Sequence, residues 1–558
     1  MKKLFLPLLA AMALVSCSQN EPNSSDDGKS NDVSYVAVNI VQPGGSTRAG
    51  SPDFEDGTDV ENFAQQGLFF IFNEGQGDEA DLVGNAQRLA LSPSDKDLTT
   101  TPAVEKIYSA VLVVDGVEEK PTENIQIVCI LNAPAGIETG IKNLKDLTNK
   151  MENYDAHTKG SFIMSNSVYR DGGSKVLGAT VTSDNLKQSS AEALANPVQI
   201  YVERVVAKVD VTTKGEGFTY ETMEPMIDGV KKPLYINIKG LEIANIAESS
   251  YLLKNISNPQ TPTAISPFAS DPANKRSYWE SCSSGLTYYN QSYNTINAAV
   301  ENFDIATATL TQYIQPNTTS QKTSVLVTAQ LTTDEEGTQP FSFIYLKGGY
   351  FTPDHANALL ASYLANTSNF WYKTGETADN TSYTQLPATA FEWKNKNDFE
   401  GVTLSIKEDE AIKKMEDYEV IGRLKDGIES DKLYKAVYNA ENKEYTYVPA
   451  SVLEINEALL SYVAEYWNDG MCYYFMEIDQ TPVLRAKGYT GTDTYFGVVR
   501  NHIYKLDLTS IRGLGTPVFD PNDVIIPTRR TEDQLWYLAA EVRVLSWRVV
   551  NQSVSFDM

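Results

Sequence analysis

A chain of 558 residues is long enough for two or more domains. Its formal net charge of −27, from 73 acidic against 46 basic residues, argues against nucleic acid or an anionic membrane surface as partner. Tyrosine occurs 31 times, and Thr, Val and Asn are frequent, as in β-rich architecture with many turns.

The chain begins with a positive pair, Lys2 and Lys3, and an apolar run over residues 4–15 that is short for crossing a bilayer. Leu14-Val15-Ser16-Cys17 follows and resembles a bacterial lipobox, in which Cys17 takes a lipid on its thiol. Residues 18–32 are polar and read as a flexible tether. Residues 33–41 then carry a strand pattern with Val36, Val38 and Ile40 on one face. Pro43-Gly44-Gly45-Ser46-Thr47-Arg48-Ala49-Gly50 comes next, a composition that keeps a loop extended and open to a protease. Arg48 is the only Arg or Lys between Lys29 and Arg88. An ordinary surface arginine is the plain reading. The sharper one is a cut that removes the preceding strand.

Further along, residues 68–72, 107–114, 125–132, 162–164 and 198–211 read as short strands. Ile141, Leu144, Leu147 and Met151 recur at helical spacing, so 141–153 is expected to be a surface helix. Strands are expected again over 234–246, 323–331, 341–350, 471–478 and 497–511, and helices over 353–366, 408–418 and 452–467. Residues 521–530 form an extended connection in which Pro527 rules out a central strand. Short strands separated by turn residues argue for sandwiches.

The last stretch, 539–558, remains rich in strand formers to its final residue. From Val550 the alternation is strict: Val550, Gln552, Val554, Phe556 and Met558 share one face, opposite Asn551, Ser553, Ser555 and Asp557. Leu545, Trp547 and Val549 have the other parity, which implies a bulge or two consecutive short strands near Arg548. The stretch either completes its own domain's sheet or serves another molecule.

Catalytic signatures are missing from the sequence. The three histidines, His157, His355 and His502, are far apart and lack metal spacing. His157 and His355 read as solvated and His502 as structural. No nucleophile elbow, P-loop or dinucleotide fingerprint occurs. Asp334-Glu335-Glu336 and Glu408-Asp409-Glu410 read as solvated surface rather than as a metal or acid–base site. Four cysteines leave three beyond Cys17, an odd number, so Cys129, Cys282 and Cys472 are expected as buried free thiols. No enzyme, cofactor or metal is therefore expected.

Several motifs carry a resemblance. Thr47-Arg48-Ala49-Gly50 resembles an Arg-specific maturation site. Val202-Glu203-Arg204-Val205-Val206-Ala207-Lys208-Val209 resembles a strand closing a first domain. Gly497-Val498-Val499-Arg500-Asn501-His502-Ile503-Tyr504, running through Gly513-Leu514-Gly515-Thr516-Pro517, resembles a late motif. Val542-Arg543-Val544-Leu545-Ser546-Trp547 resembles a terminal strand. Together they are similar to stalk subunits of the type V pili of Bacteroidales, the major fimbrial subunit family. Residues 255–320 show no match to it.

The resemblance implies a mainly β fold of two tandem transthyretin-like β-sandwich domains with a few short helices and a C-terminal donor strand. The implied parts are a lipoprotein signal (1–17), a tether and propeptide strand removed on maturation (18–48), an N-terminal sandwich (49–211), a C-terminal sandwich (212–530) and a donor region (531–558). A protease would cut between Arg48 and Ala49, and loss of the strand bearing Val36, Val38 and Ile40 would open a groove with unpaired edges. A second subunit's tail would fill it through Val542, Val544, Leu545, Trp547, Val549, Val550, Val554, Phe556 and Met558. One tail given and one received makes a contact that does not close, hence a filament. The implied partners are identical subunits, accessory tip and anchor pilins, an Arg-specific surface protease, and the outer membrane through the precursor lipid. The implied location is the fimbrium, at the outer membrane surface before assembly and extracellular after it. The rival readings are a tip or anchor subunit of the same pilus, and a surface glycan-binding lipoprotein in which Trp371 or Trp393 stacks on sugars.

Overall fold

Strands dominate the computed structural model, which describes residues 33–43, 55, 57–93, 104–115, 124–153, 162–213, 219–220, 223–256, 270–272, 275–283, 285–298, 309–377, 380–481, 485, 490–492, 494–528, 538–545 and 550–551. The fold is mainly β, with several sheets and a few short helices.

The first sheet is built from β1 (Val33–Pro43), β2 (Gln66–Asn73), β3 (Gln87–Ala90), β4 (Ser92–Pro93), β5 (Val104–Asp115), β6 (Ile125–Leu131), β8 (Met164–Asn166) and β12 (Val198–Arg204), with β7 (Met151–Glu152) lying outside it. Its order is β3-β2-β6-β8-β12-β1-β5-β4. β9 (Tyr169–Asp171) and β10 (Ser174–Val176) form a separate hairpin, and β11 (Ala179–Val181) pairs with β6. Phe69, Phe70, Phe72, Leu112, Ile127 and Ile200 fill the core beneath this sheet. β6 is buried at every position, Gln126 included, which explains why its sequence is largely apolar rather than alternating.

Along the chain this cluster gives way after Val206 to a second that begins at Ala207, on β13 (Ala207–Thr213), although Leu252, Leu253 and Ile256 return to the first. The stretch expected to be one closing strand is thus split between two cores, four residues before Val211. β13 pairs antiparallel with Thr309–Ile314 and parallel with Ile503–Ile511. A facing sheet runs Tyr235–Ala244, Ser324–Thr332, Met471–Glu477 and Thr516–Pro517. A third cluster gathers around the helix at Pro353–Asn366.

Helices are shorter than the periodicity implied. The surface helix expected over 141–153 is only α1 (Leu144–Thr148), closed by a capping box at Asn143; Ile141, Leu144 and Leu147 are buried, and Met151 belongs to β7. α2 (Ser190–Ala193) and α3 (Tyr293–Ala298) are single turns, and α4 (Pro353–Asn366) matches its expected span. α5 (Ile406–Ile412) stops before 418 because Glu419–Leu424 is drawn into a sheet. α6 (Val452–Leu459) likewise ends early. Val463–Trp467, expected as helix, is a strand between Phe343–Leu346 and Glu419–Leu424. Pairing on both edges overrides a local apolar period there. The strand expected over 497–511 begins at Ile503. The one expected over 341–350 is a hairpin of Phe343–Leu346 and Gly349–Phe351.

Candidate functional site: a buried leading strand

β1 has β-branched residues at alternate positions, which favours an extended backbone. Its placement is unusual for a strand so near a chain's beginning. It lies inside the sheet, antiparallel to β5 from Val33↔Asp115 to Pro43↔Val104, and parallel to β12 from Val38↔Val198 to Val41↔Tyr201. Val36, Val38 and Ile40 have no solvent exposure. On the opposite face Ala37 is buried and Asn39 nearly so, its Oδ1 accepting from the Ser109 hydroxyl at 2.9 Å, while Tyr35 is half-buried. α2 lies close to β1, and Tyr35 exchanges two backbone hydrogen bonds with Lys187. Taking β1 out would therefore uncover two strand edges and a slot whose inward side takes the apolar row Val36, Val38 and Ile40.

The segment that follows is tied down separately. The Tyr108 hydroxyl accepts from Ala64 N–H at 3.2 Å and donates to Asn62 O at 2.9 Å. The buried Arg204 guanidinium donates to Glu61 O at 3.0 Å, to Asn501 Oδ1 at 3.2 Å and to Asn62 Oδ1. Glu61 bonds the Tyr313 hydroxyl at 2.5 Å and Lys208 Nζ at 3.1 Å. Burial would raise the Glu61 carboxyl. The Tyr313 hydroxyl, Thr58 N–H and Lys208 outweigh it and hold the group below its ordinary 4.5. Anything severed between Pro43 and Glu55 would leave this anchor in place.

At the other end, Leu538–Leu545 runs antiparallel to Ile503–Ile511, from Ile511↔Leu538 to Tyr504↔Val544. Val550–Asn551 turns back onto Val544 and Arg543, so two consecutive short strands replace a bulge. Val542, Val544 and Leu545 thus pair within their own chain, and Val550 begins the return strand. The slot and the tail stand in different sheets. Cys17, Arg48, Ala49, Trp547, Val549, Val554, Phe556, Met558 and His157 lie outside the described residues.

Two buried ion pairs went unread in the sequence. Arg500 is fully buried; its Nε meets Glu280 Oε2 at 2.9 Å, its backbone N–H meets Oε1 at 2.7 Å, and its Nη atoms reach Leu252 O and Tyr251 O. Lys254 pairs with Glu203 at 2.7 Å. Arg500 joins the two clusters through Leu252 O, Lys254–Glu203 lies within the first, and Glu280 comes from the stretch without motifs. The late motif around Arg500 is thus structural. Its Gly497 sits at φ 113°, where a Cβ would fall 2.2 Å from Asn317 O.

No catalytic constellation emerges among the described residues. Burial pushes the Cys282 and Cys472 thiols up to about 12 and Cys129 well above its ordinary value, so all three free thiols stay protonated. Cys129 and Cys472 are buried, and Cys282 is half-buried. His355 pairs with Asp228 at 2.8 Å on the surface, whereas His502 is buried with Nδ1 2.8 Å from Arg500 O. Among the described residues no group of three His, Cys, Asp or Glu side chains is placed to hold a metal. Glu408, expected to be solvated, is buried at the first turn of α5, where Ser405 caps it and Arg423 lies 3.5 Å away. Asp334 folds onto the Thr338 and Gln339 N–H groups. Trp393 is buried with its Nε1 on Asn357 Oδ1, and Trp371 is half-buried.

Residues 465–553 match the family model described as "Major fimbrial subunit protein type IV, Fimbrillin, C-terminal". No curated protein matches the sequence. Among solved structures, the chain is similar to a candidate cell adhesion protein from Parabacteroides distasonis (12% identity, TM-score 0.38, covering 93% of this chain and 98% of that one). It is also similar to a fimbrial assembly protein from the same organism (12%, 0.28, 75% and 100%). A third is the tip fimbrial protein Mfa3 from Porphyromonas gingivalis with C-terminal truncation (11%, 0.30, 92% and 100%).

Proposed function

We propose that this chain, a fimbrial protein of fimbrillin type and structural rather than catalytic, is a stalk subunit of a cell-surface pilus that supports adhesion. It is exported as a lipoprotein precursor held at the outer membrane through Cys17. An Arg-specific surface protease cuts between Arg48 and Ala49, and residues 18–48 leave with the lipid. The mature chain is two tandem transthyretin-like sandwiches, 49–211 and 212–530, followed by a donor region at 531–558. Its partners are identical subunits, together with accessory tip and anchor pilins.

The observation that carries the reading is β1 itself. A strand buried on both faces and paired on both edges precedes an independently anchored segment, with one Gly-rich, arginine-bearing linker between them. The vacated slot is filled by the tail of another subunit. Residues 550–558 suit it: Val550, Gln552, Val554, Phe556 and Met558 oppose Asn551, Ser553, Ser555 and Asp557, a mostly apolar row against a polar one, as Val36, Val38 and Ile40 form an apolar row in β1. The strand Leu538–Leu545, paired to its own body, serves as the fixed base, and on assembly Val550–Asn551 exchanges its pairing with Val544 and Arg543 for the neighbour's slot. Backbone pairing along two edges, at about 0.5–1.5 kcal/mol per hydrogen bond, adds to burial of the apolar row.

Mass spectrometry of the mature N-terminus tests this. Ala49 is expected on assembled fibres, and Arg48→Ala should accumulate a lipidated, unpolymerised precursor. Normal filaments from Arg48→Ala would refute cleavage as the trigger.

A further inference from the structure

β12 has unequal edges. On one side it carries β1 at Val198–Tyr201; on the other, β8 pairs only with Val202–Arg204. Toward Val198 the next strand on that side is β11, which pairs with β6 and forms no ladder with β12. The result is a cleft of about 560 Å³ between β11 and β12, walled by the β9–β10 hairpin and Lys275.

The chemistry of its lining is specific. Gln199 and Tyr201 share the outward face of β12, since Val198, Ile200 and Val202 point into the core. Tyr169 and Asp171 come from β9. Lys275 Nζ lies 5.7 Å from the Tyr169 ring centroid, which occupies the cation. Burial, then Asp171 and Tyr201, push the Tyr169 phenol above its ordinary value, so it stays a donor. Ser167 lines the cleft, and its Oγ is buried without a hydrogen-bond partner. A buried unmatched hydroxyl costs about 1–3 kcal/mol until something bonds it.

We propose that this cleft binds a short neutral saccharide, one pyranose resting its C–H face against the tyrosine rings and its hydroxyls on Gln199, Asp171 and Ser167. Each part follows from complementarity. Pyranose hydroxyls both donate and accept, as amide, carboxyl and hydroxyl groups require. Aromatic rings with polar tips match a ring that is apolar on its faces and polar at its rim. One acid and one base balance, which favours an uncharged ligand. The volume lies within the range of small-ligand sites. The cleft is on the edge of β12 away from β1, so the inference stands apart from strand exchange.

The test uses the full chain with a panel of neutral mono- and disaccharides that includes lactose, cellobiose and maltose, read by saturation-transfer NMR and calorimetry. At least one should saturate, and Gln199→Ala and Tyr201→Ala should each weaken it about tenfold or more while circular dichroism stays unchanged. Gln199 is exposed, so its variant remains informative if Tyr201→Ala folds poorly. Failure of the whole panel to bind, binding that survives Gln199→Ala, or a preference for sialylated lactose over lactose would overturn the proposal.

Discussion

Ile40 shows what a single residue of β1 contributes. It has no solvent exposure and sits opposite Tyr108 and Ile200 across its two neighbours. Ile40→Ala should lower the stability of the uncut chain by about 2–5 kcal/mol, the usual cost of a buried large-to-small change, as read from urea unfolding. Glu61 offers a pH-dependent counterpart. Its folded-state carboxyl is held below 4.5, so the stability it contributes is present above that value and is lost as pH falls through the lower folded value. Unfolding midpoints compared between the wild type and Glu61→Gln should differ most at neutral pH and converge in acid. A constant gap across that range would mean Glu61 acts through packing alone.

Among the elements, the four-stranded sheet of Phe370–Glu376, Thr381–Thr384, Leu433–Asn439 and Glu444–Pro449 has one face on the third core and one open. The open face carries Trp371, Tyr383, Tyr434 and Tyr447, with Tyr383 and Tyr447 stacked at 3.9 Å and 4°. Cross-strand aromatic contacts replace the core that this face lacks. Tyr383→Ala should cost about 0.5–1.5 kcal/mol locally. Hydrogen exchange should quicken across these four strands and leave β6 unchanged. The shortened helices teach a related lesson. The spacing of 452–467 reads as helix throughout, but Val463–Trp467 gains ladder partners on both edges, and no local pattern reports that.

For the molecule as a whole, what matters is how the ends stand relative to the two cores. The clusters meet at Val206 and Ala207 and are joined by Arg204–Asn501 and by Arg500 to Leu252 O. The slot lies in the first core's sheet and the tail strand in the second core's, so on the proposed reading receptor and donor stand at separate places. Removing residues 550–558 should leave a folded, secreted monomer that accepts a tail yet donates none. Size-exclusion chromatography of the cleaved truncation should show no polymer, and long polymers from it would remove the donor role from this segment.

Much of this was legible in the residues themselves. Val36, Val38 and Ile40 announce one buried face, and the largely apolar run at Ile125–Leu131 a strand. Local periodicity encodes which face is apolar, because side-chain direction depends on the backbone alone. It does not encode which strand lies alongside. That β1 sits between β5 and β12, that Leu538–Leu545 closes onto Ile503–Ile511, and that Arg500 finds Glu280 were settled only in three dimensions. Those partners are distant in sequence, and they are chosen by the joint burial of surfaces that no single segment contains.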